Sequence, residues 1–303
     1  MKKSVIKGNP NDIQKTANPN SIVGDYHTHT DNSDGKDTVE DMIRAASNLG
    51  LQEIAITDHG HKKWFGGLGP KKYSMVKALV EKSAAEHDIK AYFGVEANVT
   101  GTNGQIDVDV DDRANMDILL CGIHRLVHSV NIKTLFTFFI PNWFWGIIRY
   151  TPKGRIRKNT EVMKRVIANN NIDIWAHPNR YFRLDVVEVA KICADRGTLV
   201  ELNGKYISFR PVDFERMAAI GAKFIIGSDA HRTGRIASVN KVFEFLKLCD
   251  YKPDDIVNID GTFRRSKPKG IQLIDEQRIN EIPDVTKINN DKKQKKLDKK
   301  KKG

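Results

Sequence analysis

Cysteine is scarce in this 303-residue sequence, and the three present, Cys121, Cys193 and Cys249, are scattered and odd in number. Without Cys-x-x-Cys spacing they form neither a disulfide framework nor a thiolate zinc site, so a reducing, cytoplasmic setting is expected. Long apolar runs are missing as well. The strongest, Leu135 to Ile148, is broken by Pro141 and Asn142 and falls short of the roughly 20 residues a membrane-spanning helix needs. The lysines near Met1 have no apolar stretch behind them, which argues against a cleaved secretory signal. Membrane insertion and export are therefore not expected.

Acidic residues are outnumbered, 38 against 50 lysines and arginines, for a net charge of +12. Half of that excess sits in one place, because residues 291–302 hold eight lysines and two aspartates. Such a low-complexity run is predicted to be disordered. Setting it aside leaves a mildly basic body with no legible basic groove, so nucleic acid bound through the lysine run stays an option but is not favoured. The 40% apolar content suffices for a substantial core, in one barrel-sized domain or two ordinary ones.

Behind a polar lead (1–20), short β-branched runs alternate with amphipathic stretches. Seven strands are predicted: Ile22–His27, Glu53–Thr57, Ala91–Val95, Ile118–Gly122, Asp173–Ala176, Leu199–Leu202 and Lys223–Gly227. Helices are predicted at about Thr38–Leu49, Lys71–His87, Lys158–Asn169, Asp185–Arg196, Val212–Ile220 and Val239–Leu248, the first with Asp37 or Thr38 as N-cap and Gly50 past its end. This is the pattern of a parallel sheet covered by helices, doubly wound or closed as a barrel, and periodicity does not choose between the two. An aromatic insertion at about 130–155, with Phe136, Phe138, Phe139, Trp143, Phe144 and Trp145, is either a cover over the substrate or an ordinarily packed hairpin. The domain is expected to span 21–262, with 263–303 as an appended extension.

Six of the nine histidines fall at the carboxyl ends of predicted strands, where parallel α/β folds build their sites. They are His27 and His29 after the first strand, His59 in Thr57-Asp58-His59-Gly60, His124, His177, and His231 in Asp229-Ala230-His231. Glu96 closes the third strand. His-x-His and Asp-x-His at a strand end send both side chains the same way, because side-chain direction alternates. A lone strand-end histidine is ordinarily just a hydrogen-bonded residue, but six converging with Glu96 and Asp229 point to a metal site for zinc, manganese or iron. Arg125, Arg180 and Arg232 each follow a ligand motif within three residues and are candidates to pair with an anionic substrate, with surface ion pairs as the plain alternative.

These motifs resemble, in their order, those of the polymerase and histidinol phosphatase (PHP) superfamily of metal-dependent phosphoesterases, over about Asp25 to Thr262. Gly94-Val95-Glu96-Ala97-Asn98, Gly104-Gln105-Ile106-Asp107 and His177-Pro178-Asn179 look most like its free-standing bacterial phosphatases. The resemblance implies a distorted seven-stranded (β/α)7 TIM-like barrel with a trinuclear centre. One metal would take His27, His29, Glu96 and Asp229; a second would share Glu96 and add His124 and His177. The third would take His59, His231 and a residue of the first loop. The similar phosphatases use a histidine there, whereas this loop offers Asp34, an oxygen ligand that favours manganese or iron somewhat more.

Two to three divalent ions (Zn2+, Mn2+ or Fe2+) would then activate a bridging water against a small phosphate monoester, with no protein nucleophile. Asp58 is a candidate to orient a ligand or accept a proton, and His61 to protonate the leaving group. Glu201 and Asn203, ending the sixth strand, are expected to brace ligands from behind. Competing readings are a nuclease or cyclic-phosphate diesterase, a non-catalytic metal-binding module, and an amidohydrolase. The last is disfavoured because no strand-end lysine offers itself for carbamylation.

Overall fold

The computed structural model describes residues 22–259; the polar lead, the last residues of the expected domain and the lysine run lie outside them. Seven parallel strands follow one another in sheet order: β1 (Gly24–Thr28), β2 (Glu53–His59), β3 (Lys90–Asn98), β4 (Ile118–Gly122), β5 (Ile174–Trp175), β6 (Leu199–Asn203) and β7 (Phe224–Gly227). The ends of the sheet meet. His29 N donates to Ala230 O at 2.8 Å, and Ala230 N to His27 O at 3.3 Å, so β1 closes on the chain just past β7. The buried Asp25 carboxylate fastens the seam, accepting from Ser228 N at 3.0 Å and Ala237 N at 2.9 Å. Between the doubly wound sheet and the barrel, the chain forms the nearly closed (β/α) barrel.

Inside the barrel, Tyr26, Ala55, Ile118, Leu120, Ile174, Ala176, Leu199 and Ile225 form a small apolar plug, separate from the larger core between strands and helices. That plug fixes which alternate positions face inward, and so which strand-end residues face the barrel mouth. From Ile118 and Leu120 the alternation runs on to Gly122 and His124, and from Ile225 to Gly227, Asp229 and His231. On β1 alternation alone fails, since Tyr26 is in the plug and His27 and His29 would then face out. The register between β1 and β2 shifts between Asp25 and Thr28. This bulge inserts a residue, re-aims the strand, and brings both histidines in.

The helices are α1 (Val39–Asn48), α2 (Tyr73–Glu86), α3 (Val110–Arg113), α4 (Ile140–Ile147), α5 (Lys153–Asn169), α6 (Val186–Arg196), α7 (Pro211–Ala219) and α8 (Asn240–Leu246). Thr38 caps α1 with a reciprocal box to Asp41, and Gly50 follows with φ 79°. Helix α5 begins five residues earlier than predicted, because Pro152 starts it and the polar first turn carries no apolar period. No helix among the described residues is long and apolar enough to cross a membrane.

The aromatic insertion runs through Ile132–Thr134, a π-helical turn at Leu135–Phe139, and α4. It is docked rather than free-standing. Phe138 and Phe139 are fully buried and pack edge-on to Phe182, while the Asn142 and Asn159 side chains exchange hydrogen bonds at 2.9 and 2.8 Å. Phe136 and Phe144 stay exposed, so the six aromatics divide between core and surface.

Candidate metal centre

At the barrel mouth the structure brings together His27, His29, Asp34, His59, Glu96, His124, His177, Asp229 and His231. Their donor atoms fall into overlapping groups: His29, Asp34, His59 and His231; His27, His29 and Asp229; His27, Glu96 and His177; His59, Glu96 and His124. Glu96 is the hub. One of its oxygens lies 3.4 Å from His27 Nε2, 3.6 Å from His29 Nε2 and 2.9 Å from His59 Nδ1, and the other 3.1 Å from His124 Nε2 and 2.6 Å from His177 Nε2.

The donor set fits divalent metal ions. Donors about 2.1 Å from a tetrahedral ion stand about 3.4 Å from each other, and several of these atoms are spaced that way: His29 Nε2 to Asp229 Oδ1 at 3.6 Å, His231 Nε2 to Asp34 Oδ1 at 3.3 Å, His124 Nε2 to His177 Nε2 at 3.3 Å. His27 Nε2, both ring nitrogens of His29, His59 Nδ1, His124 Nδ1 and Glu96 Oε2 are buried without a hydrogen-bond partner among the described residues. Each such atom costs roughly 1–3 kcal/mol if left unpaired, a cost that bound cations would remove for the one nitrogen of each ring that faces the cluster and for Glu96 Oε2.

Electrostatics readies several of these groups. Burial, then His59, His231 and His27, holds His29 far below its ordinary range, as a neutral ligand must be. Burial also pushes His124 down, to about 3, against the pull of Glu96. Burial alone would raise Glu96, but His124, His59, His27 and His177 hold it well below the carboxylate range. Asp34 is likewise kept ionised, against burial, by His231, His59 and Lys63.

Backbone strain gathers here too. His177 (φ 31°) and Asp229 (φ 54°) occupy the left-handed region that non-glycine residues rarely adopt, a feature that clusters at functional sites. At Gly122 a Cβ would stand 2.5 Å from His177 Cε1 and 3.2 Å from Glu96 Oε1, so only glycine lets these ligands close in.

Glu201, on β6, braces the site. Its carboxylate lies 2.7 Å from His27 Nδ1 and accepts from His177 N at 2.6 Å, with Asn203 Nδ2 donating to it at 3.1 Å. That bond leaves His27 Nε2 to face the cluster. Glu201→Ala is expected to cost roughly 10- to 100-fold in metal affinity or activity. Metal content measured at limiting metal supply checks this, and an unchanged value would remove Glu201 from the site.

The remaining sequence candidates separate. Asp58 does not turn toward His59; it accepts from Thr30 N and Thr30 Oγ1 at 2.7 Å each and from Ser33 Oγ at 2.5 Å, and so shapes the loop that carries Asp34. His61 is exposed, and among the described residues no hydrogen bond or ion pair joins it to the cluster. Arg180 Nη1 lies 3.2 Å from Asp229 Oδ2. Arg125 is exposed, with its guanidinium 5.5 Å from the Tyr181 ring centre. Arg232 is exposed and lines no part of the cavity beside the cluster.

Lys205, which the sequence reading passes over, reaches the cluster: Nζ stands 3.2 Å from Asp229 Oδ1 and 3.0 Å from His231 Nδ1. It lies two residues past the end of β6 at Asn203, so it is not a strand-end residue.

A family model described as PHP domain matches residues 25–207. The match ends before β7, so the geometry alone places Asp229 and His231 with the rest. A protein named "Probable phosphatase" from Thermoanaerobacter sp. (strain X514) is 26% identical over 256 residues, covering 79% of this chain and 91% of that protein. Another so named, from Shewanella loihica, is 25% identical over 244 residues, covering 77% and 88%. Among solved structures, a histidinol phosphate phosphatase from Lactococcus lactis complexed with zinc, L-histidinol and phosphate superposes with a TM-score of 0.55. It is 17% identical and covers 81% of this chain and 99% of that one, a likeness of fold.

Proposed function

The chain belongs to the PHP domain family, a metal-dependent phosphoesterase among probable phosphatases, and on that premise we propose that it hydrolyses phosphate monoesters at a centre of up to three divalent ions. The observation that carries this is the convergence of five histidines on the buried Glu96 carboxylate. His27, His29, Glu96 and Asp229 would hold one ion, Glu96, His124 and His177 a second, and Asp34, His59 and His231 a third. Bound there, the ions would acidify a water molecule and offset negative charge on the phosphate.

The chain's own residues do the rest. Glu96, kept anionic by its histidines, offsets cationic charge at the centre. Glu201 holds the His27 proton on Nδ1, away from the cluster. Arg180, beside Asp229, is placed to pair with a phosphate oxygen. Lys205 Nζ, at the edge of the cluster, is in position to hydrogen-bond the phosphate or protonate the leaving oxygen.

The test is metal analysis of the purified protein together with hydrolysis of an aryl phosphate monoester and diester, wild type beside His29→Ala. Two to three metals per chain and a monoesterase activity lost in the variant are the expected result. Diester turnover alone would favour a phosphodiesterase. Metals with no turnover of either ester would sink the phosphatase reading.

A further inference from the structure

Beside the cluster lies a cavity of about 470 Å³, within the range of small-molecule sites, whose charged lining is entirely cationic: Arg125, Arg149, Arg180, Arg183 and Arg210. It adjoins the metal ligands directly. Arg180 contacts Asp229, and Tyr181, also in its wall, lies 5.9 Å from the His124 ring and 6.0 Å from the His177 ring.

The cavity is built by the fold. Asn179, with φ 64°, turns the chain after His177 and accepts from Leu184 N at 2.8 Å, closing the loop between them. Within it Phe182 and Leu184 are buried, which leaves Arg180 and Arg183 to the cavity side. The opposite wall is the aromatic insertion, pinned to that loop by Phe138 and Phe139 on Phe182. There Arg149 follows α4 with φ 53°, and Gly146 gives room to Arg125, whose Nη2 would stand only 3.3 Å from a Cβ at that position.

Arg180 is neutralised by Asp229, and Arg210 by Asp213 at 2.9 Å. Among the described residues no carboxylate lies within ion-pair reach of Arg125, Arg149 or Arg183. Like charges gathered from separate segments repel one another, and an ordinary solvated surface intersperses both signs. An anionic ligand removes that repulsion, and guanidinium forks match phosphate oxygens.

We infer that this cavity receives a second phosphate of the substrate while the first is cleaved at the histidine cluster, so that the enzyme acts on small esters carrying two phosphate groups. The inference deepens the phosphomonoesterase reading and rests on it. Water adds to the phosphorus held at the cluster, the P–O bond to the substrate breaks, and the released oxygen takes a proton. The products are inorganic phosphate and an alcohol that keeps its other phosphate. The same walls repel a leaving group bearing an amine, such as histidinol.

The experiment compares kcat/KM for matched mono- and bisphosphates on a hexose and on a nucleoside scaffold, in wild type, Arg149→Ala and Arg183→Ala. A charged hydrogen bond is worth about tenfold or more. A bisphosphate preference of at least about tenfold on either scaffold, falling in both variants, is expected. In parallel, pyrophosphate is titrated calorimetrically into chelator-treated protein, where the two variants are expected to weaken binding. Equal rates on mono- and bisphosphates, scaled alike by the variants, overturn the inference and leave the phosphatase reading standing. No turnover of any ester, with arginine-dependent pyrophosphate binding kept, overturns the phosphatase reading and with it the bisphosphate-esterase inference, leaving the cavity only as a phosphate-binding site. A larger preference for a single-stranded oligonucleotide than for the nucleoside bisphosphate overturns the assignment to a small molecule.

Discussion

Glu96→Gln is expected to lower kcat/KM for an aryl monoester by more than about a thousandfold and to remove at least about one metal ion per chain. The substitution keeps shape and volume, so the apolar plug and the register of β3 with β2 and β4 are untouched. What changes is charge. Glu96 is fully buried and its oxygens face five imidazoles, with no lysine or arginine beside them among the described residues. An amide in its place puts an N–H donor against ring nitrogens that must be lone-pair donors to a metal, and takes away the one negative charge shared by two ligand groups. Loss of a bracing partner such as Glu201 costs roughly 10- to 100-fold; loss of the shared ligand must exceed that. Metal content by elemental analysis and steady-state kinetics on one preparation decide the matter. Full metal occupancy with activity within about tenfold of wild type would show that Glu96 is not a ligand.

The strand order and the gathering of histidines were legible because both depend on local pattern. Near-continuous apolar runs mark buried parallel strands, and histidine or acid at each carboxyl end is visible without knowing how the sheet closes. Closure was not legible from periodicity. It depends on Asp25 reaching Ser228 and Ala237 across the seam, a contact spanning nearly the whole domain. Alternation gives His27 and His29 a shared direction, but only the bulge in β1 makes that direction inward. Nothing in Gly24-Asp25-Tyr26-His27-Thr28 announces an extra residue.

Around the site, chain adjacency proved a weaker guide than strand position. Arg125, Arg180 and Arg232 share the same adjacency to a ligand, yet only the first two line the cavity, because the loop after β7 turns away into a 3-10 turn at Thr233–Arg235. Arg149, Arg183 and Arg210 join them from the turn after α4, the loop after β5 and the residue before α7, positions that only packing brings together. Lys205 carries no motif. Its long side chain reaches back to Asp229 and His231 from beyond the strand end, where the sequence offers no periodicity to read.

Stripping the metals is expected to lower the thermal midpoint by roughly 8–16 °C per strongly bound ion. An ion present at about a thousand times its dissociation constant stabilises the folded state by about 4 kcal/mol, and for a domain of this size each kcal/mol moves the midpoint by about 2–4 °C. All the donor residues but Asp34 and His231 are buried, held by the bulge in β1, by the strained turns at His177 and Asp229, and by Glu201. The stripped protein therefore pays to keep them dry and unpaired. Part of that loss is offset within the cluster, where His177 Nε2 closes on Glu96 at 2.6 Å and Lys205 on Asp229 at 3.2 Å, so the shift falls short of a sum over three sites. Calorimetry with and without chelator, followed by titration of zinc or manganese back into the same sample, measures it. A midpoint that rises with added metal and saturates at the stoichiometry given by elemental analysis ties the stabilisation to this centre. A midpoint unmoved by chelation, in protein shown to have lost its metal, would mean that the fold carries the cluster unaided and that the buried donors are satisfied by protein contacts alone.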